Sequence, residues 1–136
     1  MTKFETLTVK EVKKETADCV SVAFDVPVSA KEKFSFTQGQ YITLKQEKNG
    51  EEVRRSYSIC SSPLDNELRV AIKKVTGGLF STWANESLQK GMTVEVMPPQ
   101  GKFFTPLNPA AKNQYVAFAS GSGITPILSI IKTTLQ

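Results

Sequence analysis

Cys19-Val20-Ser21-Val22-Ala23-Phe24-Asp25-Val26 decides how this chain is read: Val20, Val22, Phe24 and Val26 take every second position, with Cys19, Ser21, Ala23 and Asp25 between them. Successive side chains on an extended backbone point to opposite faces, so the run describes a half-buried strand with one apolar face. The same period recurs on either side of it. Leu7 and Val9 show it near the start, Ile42 and Leu44 after the Gly39-Gln40 turn, and Val53 to Ile59 beyond them. Leu68, Val70 and Ile72 follow, then Val94 and Val96 after Gly91. Lys48-Asn49-Gly50-Glu51 reads as a hairpin turn between two of these runs, because Asn-Gly accepts the positive φ of a two-residue loop. About six short strands joined by turns predict a mainly β domain, an antiparallel barrel or sandwich.

Two segments leave that rhythm. Between Leu79 and Gln89, after the Gly77-Gly78 pair, Phe80, Trp83, Ala84 and Leu88 share one helical face and predict a short helix. Later, the Pro- and Asn-containing stretch from Lys102 to Lys112 reads as a linker. An apolar strand, Tyr115-Val116-Ala117-Phe118-Ala119, then runs into Gly121-Ser122-Gly123-Ile124-Thr125-Pro126. The spacing predicts a helix from there, with Thr125 as its cap, Pro126 at its first position, and Ile124, Ile127, Leu128, Ile131 and Leu135 along one face. One strand and one helix cannot make a parallel sheet, since the crossover must return to a second strand. The expected organisation is a β domain over residues 1–105, followed over 106–136 by a linker and the first strand-helix unit of an α/β domain.

Composition bounds the chemistry. The chain has 136 residues, 40% hydrophobic and 22% charged, enough for one core without disulfides. It has no histidine, which excludes Ser-His-Asp and Cys-His catalysis and His-rich zinc sites. Cys19 and Cys60 alone cannot hold an iron-sulfur cluster or a structural zinc, so no metal site is expected and redox chemistry would need an organic cofactor. The net charge of +4 is spread among interleaved acids and bases and suits phosphate-bearing small molecules at least as well as nucleic acid. Met1 to Thr6 lacks the apolar core of a signal peptide, and no apolar run is long enough to span a bilayer. With two distant cysteines and no CxxC pair, a cytoplasmic protein without membrane or nucleic-acid partners is expected.

The densest polar and aromatic cluster is Glu52-Val53-Arg54-Arg55-Ser56-Tyr57-Ser58-Ile59-Cys60. On a strand, Arg55 and Tyr57 share one face while Arg54, Ser56 and Ser58 share the other. An Arg fork matches phosphate oxygens, a Tyr ring offers a stacking surface, and a Ser hydroxyl can bond a heteroaromatic nitrogen. That combination suits a flavin nucleotide; the same run also reads as an edge strand with solvated charges and a half-buried Tyr. Gly77-Gly78-Leu79-Phe80-Ser81 can turn free backbone N–H groups toward an anion at a helix start, or be only a tight turn. Gly121-Ser122-Gly123 is a further phosphate-facing candidate, without the third glycine of the dinucleotide fingerprint.

Arg55-Ser56-Tyr57-Ser58, Gly77-Gly78-Leu79-Phe80-Ser81 and Gly121-Ser122-Gly123-Ile124-Thr125-Pro126, in this order, resemble the ferredoxin-NADP reductase superfamily. Gln38-Gly39-Gln40-Tyr41 and Pro99-Gln100-Gly101-Lys102-Phe103 agree with that resemblance, which spans essentially the whole chain. Within the superfamily, the run from Gly50 to Cys60, Gly91 to Met97 and the terminal Thr133 to Gln136 look most like the reductase subunits of phenylacetyl-CoA epoxidases, of the phenylacetate degradation route. The resemblance implies a Greek-key, FAD-binding β-barrel with Arg55 on the flavin pyrophosphate, Tyr57 packed on the isoalloxazine and Ser58 near flavin N5, Tyr57 and Ser58 being the catalytic pair. Ser56 and Tyr41 join the cofactor contacts, Ile72 and Lys73 line the ribityl and phosphate region, and Gly78, Leu79, Phe80 and Ser81 cradle the pyrophosphate. Thr125 is placed at the nicotinamide side of the ring.

The implied activity is NAD(P)H-dependent: FAD, rather than FMN, takes hydride from the nicotinamide cofactor. Electrons then pass through a 2Fe-2S centre, outside this sequence, to the oxygenase component of a multicomponent epoxidase. On the residues alone, two other functions stay open: a non-enzymatic flavin-binding module, and an oligonucleotide-binding barrel suggested by the charge with Arg55 and Tyr57.

Overall fold

In the computed structural model, which describes residues 3–136, all the alternating runs form strands. They are β1 (Glu5–Thr16), β2 (Cys19–Asp25), β3 (Tyr41–Lys48), β4 (Glu51–Ser58), β5 (Leu68–Lys73) and β6 (Thr93–Gln100). Met1 and Thr2, the start of the segment read for a signal peptide, lie outside the described residues. The strands pair antiparallel in the order β4-β3-β6-β1-β2-β5. Because β6 returns to lie between β3 and β1, the connectivity is of the Greek-key kind.

The turn chemistry acts as its residues require: Asn49 (φ 53°) and Gly50 (φ 78°) both take the positive φ of a tight hairpin between β3 and β4. The inward side chains of each strand build the core, with Leu7, Val22, Ile42, Leu44, Val70 and Val96 all buried. Each such side chain contributes about 1.5–3 kcal/mol through removal of apolar surface from water.

The two edge strands of the sheet meet at a single point. Ile59, just past β4, bridges Val70 of β5, and the Cys60 N–H donates to the Arg69 carbonyl at 2.9 Å. The sheet is thus drawn into a barrel at one end of β4, while the rest of that strand pairs only with β3. Helix α1 (Leu79–Glu86) occupies the gap and buries Phe80, Trp83 and Ala84. It stops short of the expected Gln89 because the Ser87 and Leu88 amides both donate to the Trp83 carbonyl and close the last turn.

The C-terminal segment departs from the sequence reading in three ways. Tyr115 to Ala119 forms no strand and is exposed, since a lone strand has no ladder partner among the described residues. Helix α2 (Ile124–Leu135) begins two residues earlier than expected, which puts Thr125 and Pro126 at its second and third positions. The Thr125 hydroxyl therefore does not cap the helix; it donates to the Ser122 carbonyl at 2.9 Å. Finally, the apolar stripe of α2 faces solvent, with Ile124, Leu128, Ile131 and Leu135 exposed, while Ser129 and Thr133 are buried. The reason lies opposite them: the turn of residues 61–65 presents carbonyl, hydroxyl and carboxylate oxygens rather than apolar groups. No helix among the described residues is long and apolar enough to cross a membrane.

Candidate functional site

The unmatched edges of β4 and β5 define the site. On the β5 side the exposed backbone groups are already satisfied by α1: Asn85 Nδ2 donates to the Ile72 carbonyl at 3.0 Å, and the Val75 N–H donates to Ser81 Oγ at 2.9 Å. Asn85 Nδ2 also reaches the Ser81 carbonyl at 2.9 Å. Among the described residues the β4 side has no such cover. The Ile59 N–H donates to the Gln40 carbonyl, toward β3, so by strand alternation the backbone groups of Arg54 and Ser56 face away from β3 along the open edge. One of these groups, the Arg54 carbonyl, is met by Arg55's own guanidinium, with Nη1 donating at 2.6 Å. An open strand edge beside a helix that is already satisfied is a slot for a ligand that brings its own hydrogen bonds.

Arg55 and Tyr57 share the facing parity of Val53 and Ile59, which are buried, yet Arg55 is exposed and Tyr57 half-buried. The difference arises because α1, and not a strand, stands across from them. Tyr57 packs on Phe80 with ring centroids 6.0 Å apart, and Phe80 in turn meets Trp83 edge-on at 5.5 Å. Burial pushes the Tyr57 phenol above its ordinary range, so it stays neutral. At the far end of β4, Ser58 lies opposite Tyr41. The Tyr41 ring lies over Gly101, where an added Cβ would come within 3.1 Å of Tyr41 Cδ1.

The turn before α1 is tight. The Gly78 amide donates to the Val75 carbonyl, and a Cβ on Gly78 would stand 2.6 Å from Ser81 Oγ and 3.1 Å from the Val75 carbonyl oxygen. The first amides of α1, from Leu79 to Ser81, have no carbonyl one turn earlier within the helix and point out of its N-terminus. A cavity of about 650 Å³ opens beside this turn, lined by Lys48, Lys74, Gly77, Gly78 and Leu79 among others. Arg55, Tyr57 and Ser58 lie outside its lining.

Other expected contacts are placed differently. Ile72 is fully buried in the core and its carbonyl is held by Asn85, so its side chain lines no cleft. Lys73, the next residue, is exposed on the opposite face of β5. The Ser56 hydroxyl bonds Thr43 Oγ1 at 2.8 Å on the outer face, which leaves its backbone as the part turned to the open edge. Ser81 is buried with its hydroxyl engaged by Val75, and Phe80 is buried as well, so both can offer a ligand only their main chain. Thr125 is the second residue of α2, its hydroxyl engaged by the Ser122 carbonyl.

Three features were not foreseen. Asn85 secures the β5 edge; its spacing of four from Ser81 on one helix face was the available signal. Gly39 (φ 97°) lets the chain pass so closely that a Cβ there would lie 1.8 Å from the Phe103 carbonyl oxygen. The third is the contact between α2 and the turn that follows β4. Ser129 Oγ donates to the Ser61 carbonyl at 2.6 Å, Ser62 Oγ and Thr133 Oγ1 share a bond of 2.7 Å, and Lys132 pairs with Asp65. Lys132 and the Ser62 amide hold the Asp65 carboxyl below its usual range. Cys60, just before that turn, has its thiol pushed up to about 11 by burial.

A Greek-key barrel with an open strand edge, a neutral, half-buried Tyr beside it and a glycine turn at a helix start defines a nucleotide-cofactor barrel. Residues 6–105 match the family model described as the oxidoreductase FAD-binding domain. The chain belongs to that family, within the ferredoxin-NADP reductase superfamily. It is 50% identical over all 136 residues to a subunit of the 1,2-phenylacetyl-CoA epoxidase of Escherichia coli, covering 38% of that protein. Against the ferredoxin reductase component of 3-ketosteroid-9-alpha-monooxygenase from Rhodococcus rhodochrous it is 40% identical, over 95% of this chain and 36% of the other. Among solved structures it is similar to phthalate dioxygenase reductase, a modular protein for electron transfer from pyridine nucleotides to [2Fe-2S]. That likeness has a TM-score of 0.70 and 27% identity, over 96% of this chain and 39% of the other. The chain thus spans less than two fifths of the length of these relatives.

Proposed function

We propose that this chain is the flavin-holding part of an NAD(P)H-dependent reductase that supplies electrons to an oxygenase, with the hydroxylating or epoxidising partner of the phenylacetyl-CoA epoxidase type. The observation that supports this most directly is the asymmetry of the gap: α1 satisfies the β5 edge through Asn85 and Ser81, while the β4 edge beside Tyr57 stays open. Residues 1–105 form the FAD-binding barrel in this reading, and 106–136 are the linker and the opening segment of the nicotinamide-binding domain, of which helix α2 is formed here and the expected strand is not. A reducing, cytoplasmic setting goes with it.

The residues present fit FAD. Gly78 lets the chain turn tightly onto Val75 and Ser81, where a Cβ would collide, and the free amides of Leu79, Phe80 and Ser81 at the helix start suit a pyrophosphate. The Arg55 guanidinium, bonded only to its neighbour's carbonyl, can swing to the same phosphate. Tyr57, held by Phe80, presents a neutral ring for the isoalloxazine to pack on, and the Ser56 backbone offers edge hydrogen bonds. Ser58 and Tyr41 close the end of the slot where the reactive ring edge belongs, with Thr125 approaching from the nicotinamide side. Lys73 contributes through its main chain, and Ile72 through the core wall behind it. Flavin, when bound, supplies the exchange between the two electrons of a reduced nicotinamide and the single electrons passed onward. The protein's part is to position and to exclude water, which needs no histidine base.

A titration of the purified chain with FAD, followed by quenching of flavin fluorescence, tests the reading. Saturable binding that tolerates salt is expected. Binding of single-stranded oligonucleotide, steeply salt-dependent and without flavin uptake, would replace it with a nucleic-acid barrel.

A further inference from the structure

Helix α2 is amphipathic in the wrong sense for ordinary packing: it shows its apolar stripe to solvent and buries hydroxyls. The buried contact is a seam of hydrogen bonds. Ser129 Oγ donates to the Ser61 carbonyl at 2.6 Å, Ser62 Oγ and Thr133 Oγ1 are 2.7 Å apart, and Thr133 Oγ1 also donates to the Ser129 carbonyl at 2.7 Å. Asp65 and Lys132 close it with an ion pair. The barrel side is itself fixed, since Ser62 and Asp65 form a reciprocal cap and Ser61 Oγ donates to the Glu67 carbonyl at 2.7 Å. On its other flank α2 reaches Gly39, where the Ile130 methyl would lie 3.4 Å from an added Cβ.

These contacts join α2 to two turns that frame one place. The turn of residues 61–65 follows Ser58, and the Gly39 turn precedes Tyr41, the cross-strand partner of Ser58. Apolar seams tolerate sliding; hydroxyl pairs do not. One residue of slip along the helix axis moves each group by about 1.5 Å and breaks every bond of the seam at once.

We propose that Ser62, Ser129 and Thr133, with the Asp65–Lys132 pair, are positioning residues that fix where the Gly121–Thr125 turn stands relative to the Tyr41–Ser58 end of β4, and so set how nicotinamide meets flavin. The inference rests on the reductase reading above and adds a fixed register between the two cofactor-bearing parts.

The test has two arms, using Thr133→Val, Ser62→Ala and, as a milder change, Asp65→Asn, with Thr133→Ser as the conservative control. In this chain, amide hydrogen exchange across residues 124–135 should rise in the first three variants and stay near wild type in Thr133→Ser, with β1 to β6 unchanged. In the complete flavin-loaded reductase, flavin reduction at saturating NAD(P)H should slow by about 5- to 100-fold, as misplacement near 1 Å predicts. Flavin affinity and the nicotinamide half-saturation should hold, and Thr133→Ser should restore the rate. Faster exchange with an unchanged reduction rate would overturn the inference and leave the reductase reading standing, and so would unchanged exchange. A wild-type protein that takes up flavin but is never reduced by NAD(P)H would overturn the reading beneath it instead.

Discussion

Arg55 illustrates how little of a residue's role its own conformation reveals. Among the described residues its guanidinium bonds only the neighbouring Arg54 carbonyl, a contact between adjacent residues that a phosphate can replace. Arg55→Ala should therefore weaken FAD binding by about 1.5–3 kcal/mol, or roughly 10- to 150-fold, measured by fluorescence titration. Affinity within twofold of wild type would remove Arg55 from the site. Cys60 gives a second residue-level expectation. Its thiol is pushed from 9.0 to about 11 by burial, so above pH 9 the unfolded chain releases this proton while the folded chain keeps it. Stability should fall progressively between about pH 9 and 11, by as much as ~2–3 kcal/mol, and Cys60→Ala should flatten that slope in denaturant melts. Of the residues named from sequence, Tyr57, Gly78 and Arg55 stand where a ligand could meet them, because strand parity and glycine geometry are local properties. Ile72 and the Ser81 hydroxyl do not, because Asn85 and Val75 engage them across elements that local pattern does not join.

At the scale of elements, the strands were legible because each runs apolar on one face, and the Asn49-Gly50 turn because its φ values demand those residues. The segment after Gly101 was not. Tyr115 to Ala119 is apolar enough for a strand, yet pairing needs a neighbour, which periodicity cannot supply. In α2 the stripe of Ile and Leu reads as the buried face, whereas hydrogen bonds to the residue 61–65 turn choose the opposite one. Asp65 makes that choice pH-dependent. Its carboxyl is held low chiefly by the Lys132 hydrogen bond, so its contribution is complete above the unfolded carboxylate value near 3.9 and is lost as pH falls through the lower folded value. Amide exchange in α2 should accelerate at acid pH while β2 and β5 remain protected, and Asp65→Asn should abolish the difference. Equal acceleration in barrel and helix would show global unfolding instead.

For the molecule as a whole, one bridge between Ile59 and Val70 closes the barrel, and the remainder of the β4 edge awaits a partner. A ligand bound there stabilises the folded state by mass action, about 2.7 kcal/mol at a hundredfold excess over its dissociation constant. Saturating FAD should raise the melting temperature by roughly 5–10 °C. Hydrogen exchange should slow at Arg54 and Ser56, whose backbone groups face the open edge, more than on β1 or β2. A thermal shift without protection on β4 would move the binding site elsewhere. The same open edge has a consequence for the life of the protein in a cell. A strand with unclaimed N–H and C=O groups is a template on which a second chain can add, and charges such as Glu51, Glu52, Arg54 and Arg55 are the guard against it. A chain without its cofactor would keep that template open, so filling the site should also lower the tendency of the chain to add to its own copies.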